Sequence, residues 1–204
     1  MYKRQSHNIP YAHDYEQLSF VDAIKAIKPH ILIGATGAPG TFTQEVIETM
    51  SAINERPAIF ALSNPTSRAE CTAEQAYEWS GGRALFTSGS PFDAVEIGGK
   101  THQPGQGNNA YVFPGIGLGA IACQAKHISD AMFLAAADAL AHQVSQANLD
   151  AGTLYPPLSD IREVSLNIAV AVAEKAYETG LAGLKRPADL KAHIESLMYQ
   201  PDYS

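Results

Sequence analysis

Three times in its first half this chain repeats one arrangement: a short apolar run stops at a polar turn bearing glycine or proline, with a helix-spaced stretch after the first two. Ile31-Leu32-Ile33 runs into Gly34-Ala35-Thr36-Gly37-Ala38-Pro39-Gly40, and Ala58-Ile59-Phe60-Ala61-Leu62 into Ser63-Asn64-Pro65-Thr66. Ala84-Leu85-Phe86-Thr87 runs into Ser88-Gly89-Ser90-Pro91-Phe92. Continuous apolar runs of this length suit strands buried on both faces, which is the habit of parallel sheets. Successive strand-loop-helix units predict an α/β fold with a parallel sheet and right-handed crossovers. All three polar turns then lie along one edge, where open α/β sheets bind ligands.

The turns themselves leave alternatives open. Pro65 disfavours the α conformation at Asn64 and holds the chain extended, so Asn64 projects in a defined direction; it is a ligand contact or an Asn-Pro turn residue satisfying local backbone. Glycines between a strand and a helix let backbone approach a ligand, with the helix N-terminus favouring an anion. The spacing Gly34, Gly37, Gly40 nevertheless misses the G-x-G-x-x-G fingerprint of dinucleotide sites, and a plain tight turn is the other reading. Asn108 and Asn109, within Pro104-Gly105-Gln106-Gly107-Asn108-Asn109, offer neutral donors beside an apolar stretch or a simple helix cap.

Around these turns, Ser19 can cap a short helix carrying Phe20, Ile24 and Ile27, and Thr72 with Gln75 has the form of a capping box. Gly98-Gly99 between Val95-Glu96-Ile97 and Lys100-Thr101-His102 signals a hairpin. From Ala110 onward the chain reads as helical: Met132, Phe133, Ala136, Leu140 and Val144 form one stripe, and Ile161, Val164, Ile168 and Ala171 another. Residues 1–19 read as an irregular start, and 20–204 as one unit.

A net charge of −7 over 204 residues speaks against nucleic-acid and anionic-membrane partners. Cys71 and Cys123 read as reduced, packed thiols. With no export signal at the N-terminus, the expected location is cytoplasmic. The seven histidines are too dispersed for a metal site and read as surface or cap residues.

Taken in order, Ile33-Gly34-Ala35-Thr36-Gly37 with Thr41-Phe42-Thr43, Phe60 to Thr66, Ser88 to Phe92, Gly105 to Gly115 and Leu154-Tyr155-Pro156-Pro157-Leu158 resemble malic enzymes, from about Phe20 to the C-terminus. The resemblance implies a partial Rossmann-like, doubly wound parallel sheet followed by C-terminal helices. It implies oxidative decarboxylation of L-malate to pyruvate and CO2 with NAD or NADP and a divalent ion, Mg or Mn, in a homo-oligomer. Asn64 and Asn109 correspond to asparagines contacting malate or the nicotinamide ribose, Asn108 lies beside the same site, and the backbone of Ala35 and Thr36 lies along the dinucleotide. The family's catalytic tyrosine, general-base lysine and acidic metal ligands have no counterpart here, so no catalytic or metal-binding residue is assigned and the chain alone is expected to be inactive.

Two other readings compete. One is a non-catalytic module that binds a nucleotide or a partner. The other is a chain whose unpaired sheet edge drives self-association.

Overall fold

A computed structural model describes residues 16–200. The irregular opening expected for residues 1–19 lies largely outside that range. Ser19 caps α1 (Phe20–Ile27), its hydroxyl accepting from the backbone N–H of Asp22. β1 (Ile31–Gly34), α2 (Gln44–Ile53), β2 (Ala58–Ala61), α3 (Ala73–Trp79) and β3 (Leu85–Ser88) follow in alternation. α3 begins with the reciprocal Thr72–Gln75 capping box.

The three strands pair in parallel, with Leu32 beside Ile59 and Ile59 beside Phe86. That row is the floor of a core roofed by α1 through Ile24, α2 through Val46, Ile47 and Met50, and α3 through Tyr77. On the opposite face of edge strand β1, Ile31 and Ile33 are 51% and 62% exposed. That edge therefore exposes apolar side chains.

A hairpin, β4 (Val95–Ile97) and β5 (Lys100–His102), turns through Gly98 and Gly99, both at positive φ (59° and 76°) as a two-residue turn of this kind requires. The chain then returns to the sheet as β6 (Gly105–Gln106), parallel to β3, giving the order β1-β2-β3-β6. Sequence reading took this piece for a turn. Two residues of low β-propensity carry no strand signal of their own, and it is the open edge of β3 that recruits them.

A second core follows. α4 (Phe113–Ala122) lies against α7 (Ile161–Glu178), joined by α5 (Asp130–Ala141) and α8 (Leu190–Ser196). A short α6 (Gln146–Asp150) lies between α5 and α7. The α5 stripe differs from expectation: Met132 and Ala136 are buried, Phe133 is half exposed, and Val144 lies beyond the helix end. Cys71 and Cys123 are free and buried, as expected; burial and the Glu70 charge push the Cys71 thiol up to about 12. No described helix is long and apolar enough to cross a membrane.

Candidate functional site

Because all four strands run the same way, the segments after Gly34, Ala61, Ser88 and Gln106 emerge along one edge. Each is tied to its neighbour. Leu62 N–H donates to the Gly34 carbonyl (2.8 Å), Gly89 N–H to Ala61 (3.2 Å) and Gly107 N–H to Ser88 (2.8 Å), so the ladder continues past the strands into the turns.

Beneath the first two turns is a carboxylate. Glu70 has 0% exposure. Its Oε1 accepts from Thr36 N–H (2.8 Å), Thr36 Oγ1 (2.8 Å) and Ser63 Oγ (2.5 Å), and its Oε2 from Ser63 N–H at 3.4 Å. Gly37 N–H donates in turn to Ser63 Oγ (2.8 Å). Burial alone raises a carboxyl pKa; here the donors from Ser63 and Thr36 outweigh it and hold Glu70 below the ordinary glutamate range, ionised at neutral pH. Gly34 is glycine because a Cβ there would stand 2.6 Å from the Glu70 side chain and 2.7 Å from Phe42. Sequence reading missed Glu70 and Ser63. The signal available was slight: a glutamate directly between small, apolar Ala69 and Cys71 needs donors if it is buried.

The second and third turns meet at Gly89, where a Cβ would stand 2.3 Å from the Leu62 carbonyl oxygen and 2.6 and 2.7 Å from the amide atoms of Asn64. Ser90 Oγ donates to Asn64 Oδ1 (2.5 Å), which fixes the orientation of that amide. The Asn64–Pro65 peptide is cis, a feature the sequence did not disclose. The fourth turn joins the same place through Asn108, whose Nδ2 reaches the Gly89 carbonyl at 3.4 Å.

The structure thus brings the sequence-selected residues onto one edge but gives them different positions. Asn108 is occupied: its Oδ1 accepts from Ala110 N–H (2.9 Å) and caps the following turn of helix, the alternative left open by its sequence. Thr36 is occupied inward by Glu70, and Ala35 beside it is exposed. Asn64 and Asn109 are exposed, and the Nδ2 of each has no hydrogen-bond partner among the described residues. Arg68 supplies a cation at this edge, its Nη1 lying 3.4 Å from the Gly37 carbonyl.

The donor set suits the neutral, hydroxyl-rich end of a dinucleotide. Two uncharged amides face outward, and the one carboxylate of the network is sealed below them. Gly37 and Gly40 take positive φ (65° and 74°) with open space around them, so glycine serves the turn's geometry there. Among the described residues no group of three or more His, Cys, Asp or Glu is placed to hold a metal ion. His102 departs from the surface role expected of the histidines: it is 8% exposed and stacks on Tyr77.

A parallel sheet under crossover helices, with ligand-competent turns along its carboxyl edge, is the architecture of the nucleotide-binding α/β domains. The sequence model of the family described as malic enzyme, NAD binding domain, matches residues 1–177, and the chain belongs to that family. An NADP-dependent malic enzyme of Phaseolus vulgaris is 59% identical over 196 residues, covering 95% of this chain and 33% of the relative. A chloroplastic NADP-dependent malic enzyme of Flaveria pringlei is 58% identical over 196 residues, covering 95% of this chain and 30% of the relative. The crystal structure of malic enzyme from Pyrococcus horikoshii Ot3 superposes with a TM-score of 0.60 at 29% identity, over 82% of this chain and 35% of that one. The chain therefore spans about a third of the length of the relatives it matches.

The expected cytoplasmic location does not stand. Several of the matched plant enzymes are named chloroplastic. Charge and cysteine usage report redox chemistry and solubility, whereas an organelle address is a separate receptor-read segment.

Proposed function

We propose that the chain is the later part of the NAD(P)-binding domain, with its helical C-terminal region, of a malic enzyme converting L-malate to pyruvate and CO2. The names of its relatives favour NADP over NAD. The observation that carries the reading is the pair of exposed amides, Asn64 and Asn109, with unoccupied donors on one interlocked edge. Asn64, held by Ser90, and Asn109, set by the Asn108 cap, direct neutral donors at a malate carboxylate or the nicotinamide ribose and fix one against the other. Ala35 and Thr36 present backbone along the dinucleotide, and Glu70 holds that turn in place. When bound, the nicotinamide supplies the hydride acceptor for C2 of malate. The described residues do not form a site for the Mg or Mn ion of the proposed reaction, and no step is derived through it. Association into a homo-oligomer belongs to the same proposal, supported by exposed Phe113, Ile121 and Leu134 (74%, 73% and 72%).

The test is malate-dependent NADPH formation. We expect none from the 204-residue chain, and turnover from a longer protein carrying this segment within the length typical of its relatives. Turnover by the chain alone would overturn the assignment of the base and metal ligands elsewhere; nucleotide binding without turnover in the longer protein would favour a non-catalytic module.

A further inference from the structure

At the opposite edge of the sheet, where β2 and β3 begin, lies a cavity of about 260 Å³. Two polar side chains more than nine-tenths buried line it, Tyr77 at 2% exposure and His102 at 8%. Their rings stack with centroids 4.7 Å apart, yet neither the phenol nor the imidazole has a hydrogen-bond partner among the described residues. Neither is among the described buried polar atoms that lack a partner, so their polar atoms are reached by solvent and can donate to an acceptor brought from outside.

The surrounding charge indicates which acceptor. Arg83 also lines the cavity, its guanidinium clamped on the carbonyls of Ser51 (2.9 Å), Asn54 (3.0 Å) and Glu55 (2.9 Å) as a fixed positive wall. Among the described residues Arg56 makes one hydrogen bond, Nη2 to the Leu149 carbonyl at 3.4 Å, which leaves the rest of its fork available, and exposed Lys100 adds an ammonium. Glu55 and Asp150 also line the cavity and partly offset these three cations. Gly82 closes one side, where any Cβ would stand 3.1 Å from His102 Cε1 and Nε2.

We propose that this cavity is a binding pocket for a small oxyanion, a carboxylate or a phosphate, held by Arg56 and Lys100 with Tyr77 and His102 donating from beneath. It is too small for a dinucleotide and lies across the sheet from Asn64 and Asn109, so it is a second site with its own ligand. Burial, then the charge of Lys100, pushes the His102 pKa down; a bound oxyanion reverses that influence and raises it.

NMR of the His102 imidazole in the 204-residue chain, its signals assigned by their loss in His102→Gln, tests this directly. Inorganic phosphate and succinate are titrated separately at constant ionic strength, with chloride as the control. The expected result is a saturable shift with phosphate, succinate or both, accompanied by a rise in the His102 pKa. Combining Arg56→Gln with Lys100→Gln should weaken that binding about tenfold with the circular dichroism spectrum unchanged. An equal response to chloride, no saturable shift with either oxyanion, or undiminished binding in the double variant would overturn the proposal.

Discussion

Glu70→Ala is expected to lower the stability of the chain by roughly 3–5 kcal/mol, the scale for removing a buried ionised acceptor and leaving several donors without a partner. The groups stranded are the N–H and hydroxyl of Thr36 and the N–H and hydroxyl of Ser63, all within 3.4 Å of the carboxylate. Glu70→Gln should cost less: its single carbonyl oxygen keeps some of these bonds, but its NH2 group must face a remaining donor. Urea unfolding followed by circular dichroism measures both.

The pH dependence has a definite sign. Since the folded carboxyl titrates below its unfolded counterpart, its contribution is fully present above the unfolded value, about 4.3 for glutamate. That contribution is lost as pH falls through the folded pKa. The wild-type chain should therefore lose stability between pH 4.3 and the folded pKa more steeply than Glu70→Ala does. Parallel acid limbs would mean that the network makes no net contribution.

The second large effect lies at the α4–α7 contact. Gly119→Val is expected to destabilise by about 3 kcal/mol, the upper range for overpacking a core. A Cβ at Gly119 would stand 2.5 Å from the Ala169 carbonyl oxygen and 3.0 Å from Val172 Cβ, and a backbone oxygen cannot swing aside. Gly115 meets α7 in the same way, at 2.7 Å from Ile168 and 2.8 Å from the Ser165 carbonyl. Gly117 faces open space, so Gly117→Ala should instead stabilise by up to about 1 kcal/mol through helix propensity. If Gly119→Val behaves like Gly117→Ala, α4 and α7 are not packed backbone to backbone.

These two regions also show what the sequence could and could not reveal. Gly115 and Gly119 weaken α4 as an isolated helix, and their close contact with α7 is what accounts for them. The three strand-and-turn units, the first two followed by helices, announced the parallel sheet and the common edge of their turns, because strand direction follows from topology. What stayed hidden depends on partners distant in sequence. Glu70 acquires its role from Thr36, 34 residues earlier, and β6 exists only because β3 offers an unpaired edge. Likewise, nothing in Asn108-Asn109 tells which amide caps the next turn and which stays available; Oδ1 of Asn108 on Ala110 N–H separates them. His102 was misplaced for the same reason, since its burial depends on Tyr77 in another element.

The claim on which the functional reading stands is that Asn64 and Asn109, 45 positions apart, act at one site on one edge. Steady-state kinetics of the longer enzyme with Asn64→Ala, Asn109→Ala and the double substitution measures this. Each single change is expected to lower kcat/KM by about 2 kcal/mol, the scale of a lost donor to a charged or reacting group, and the double change by less than the sum of the two. Unaltered kcat/KM in both single variants would show that these turns only shape the fold.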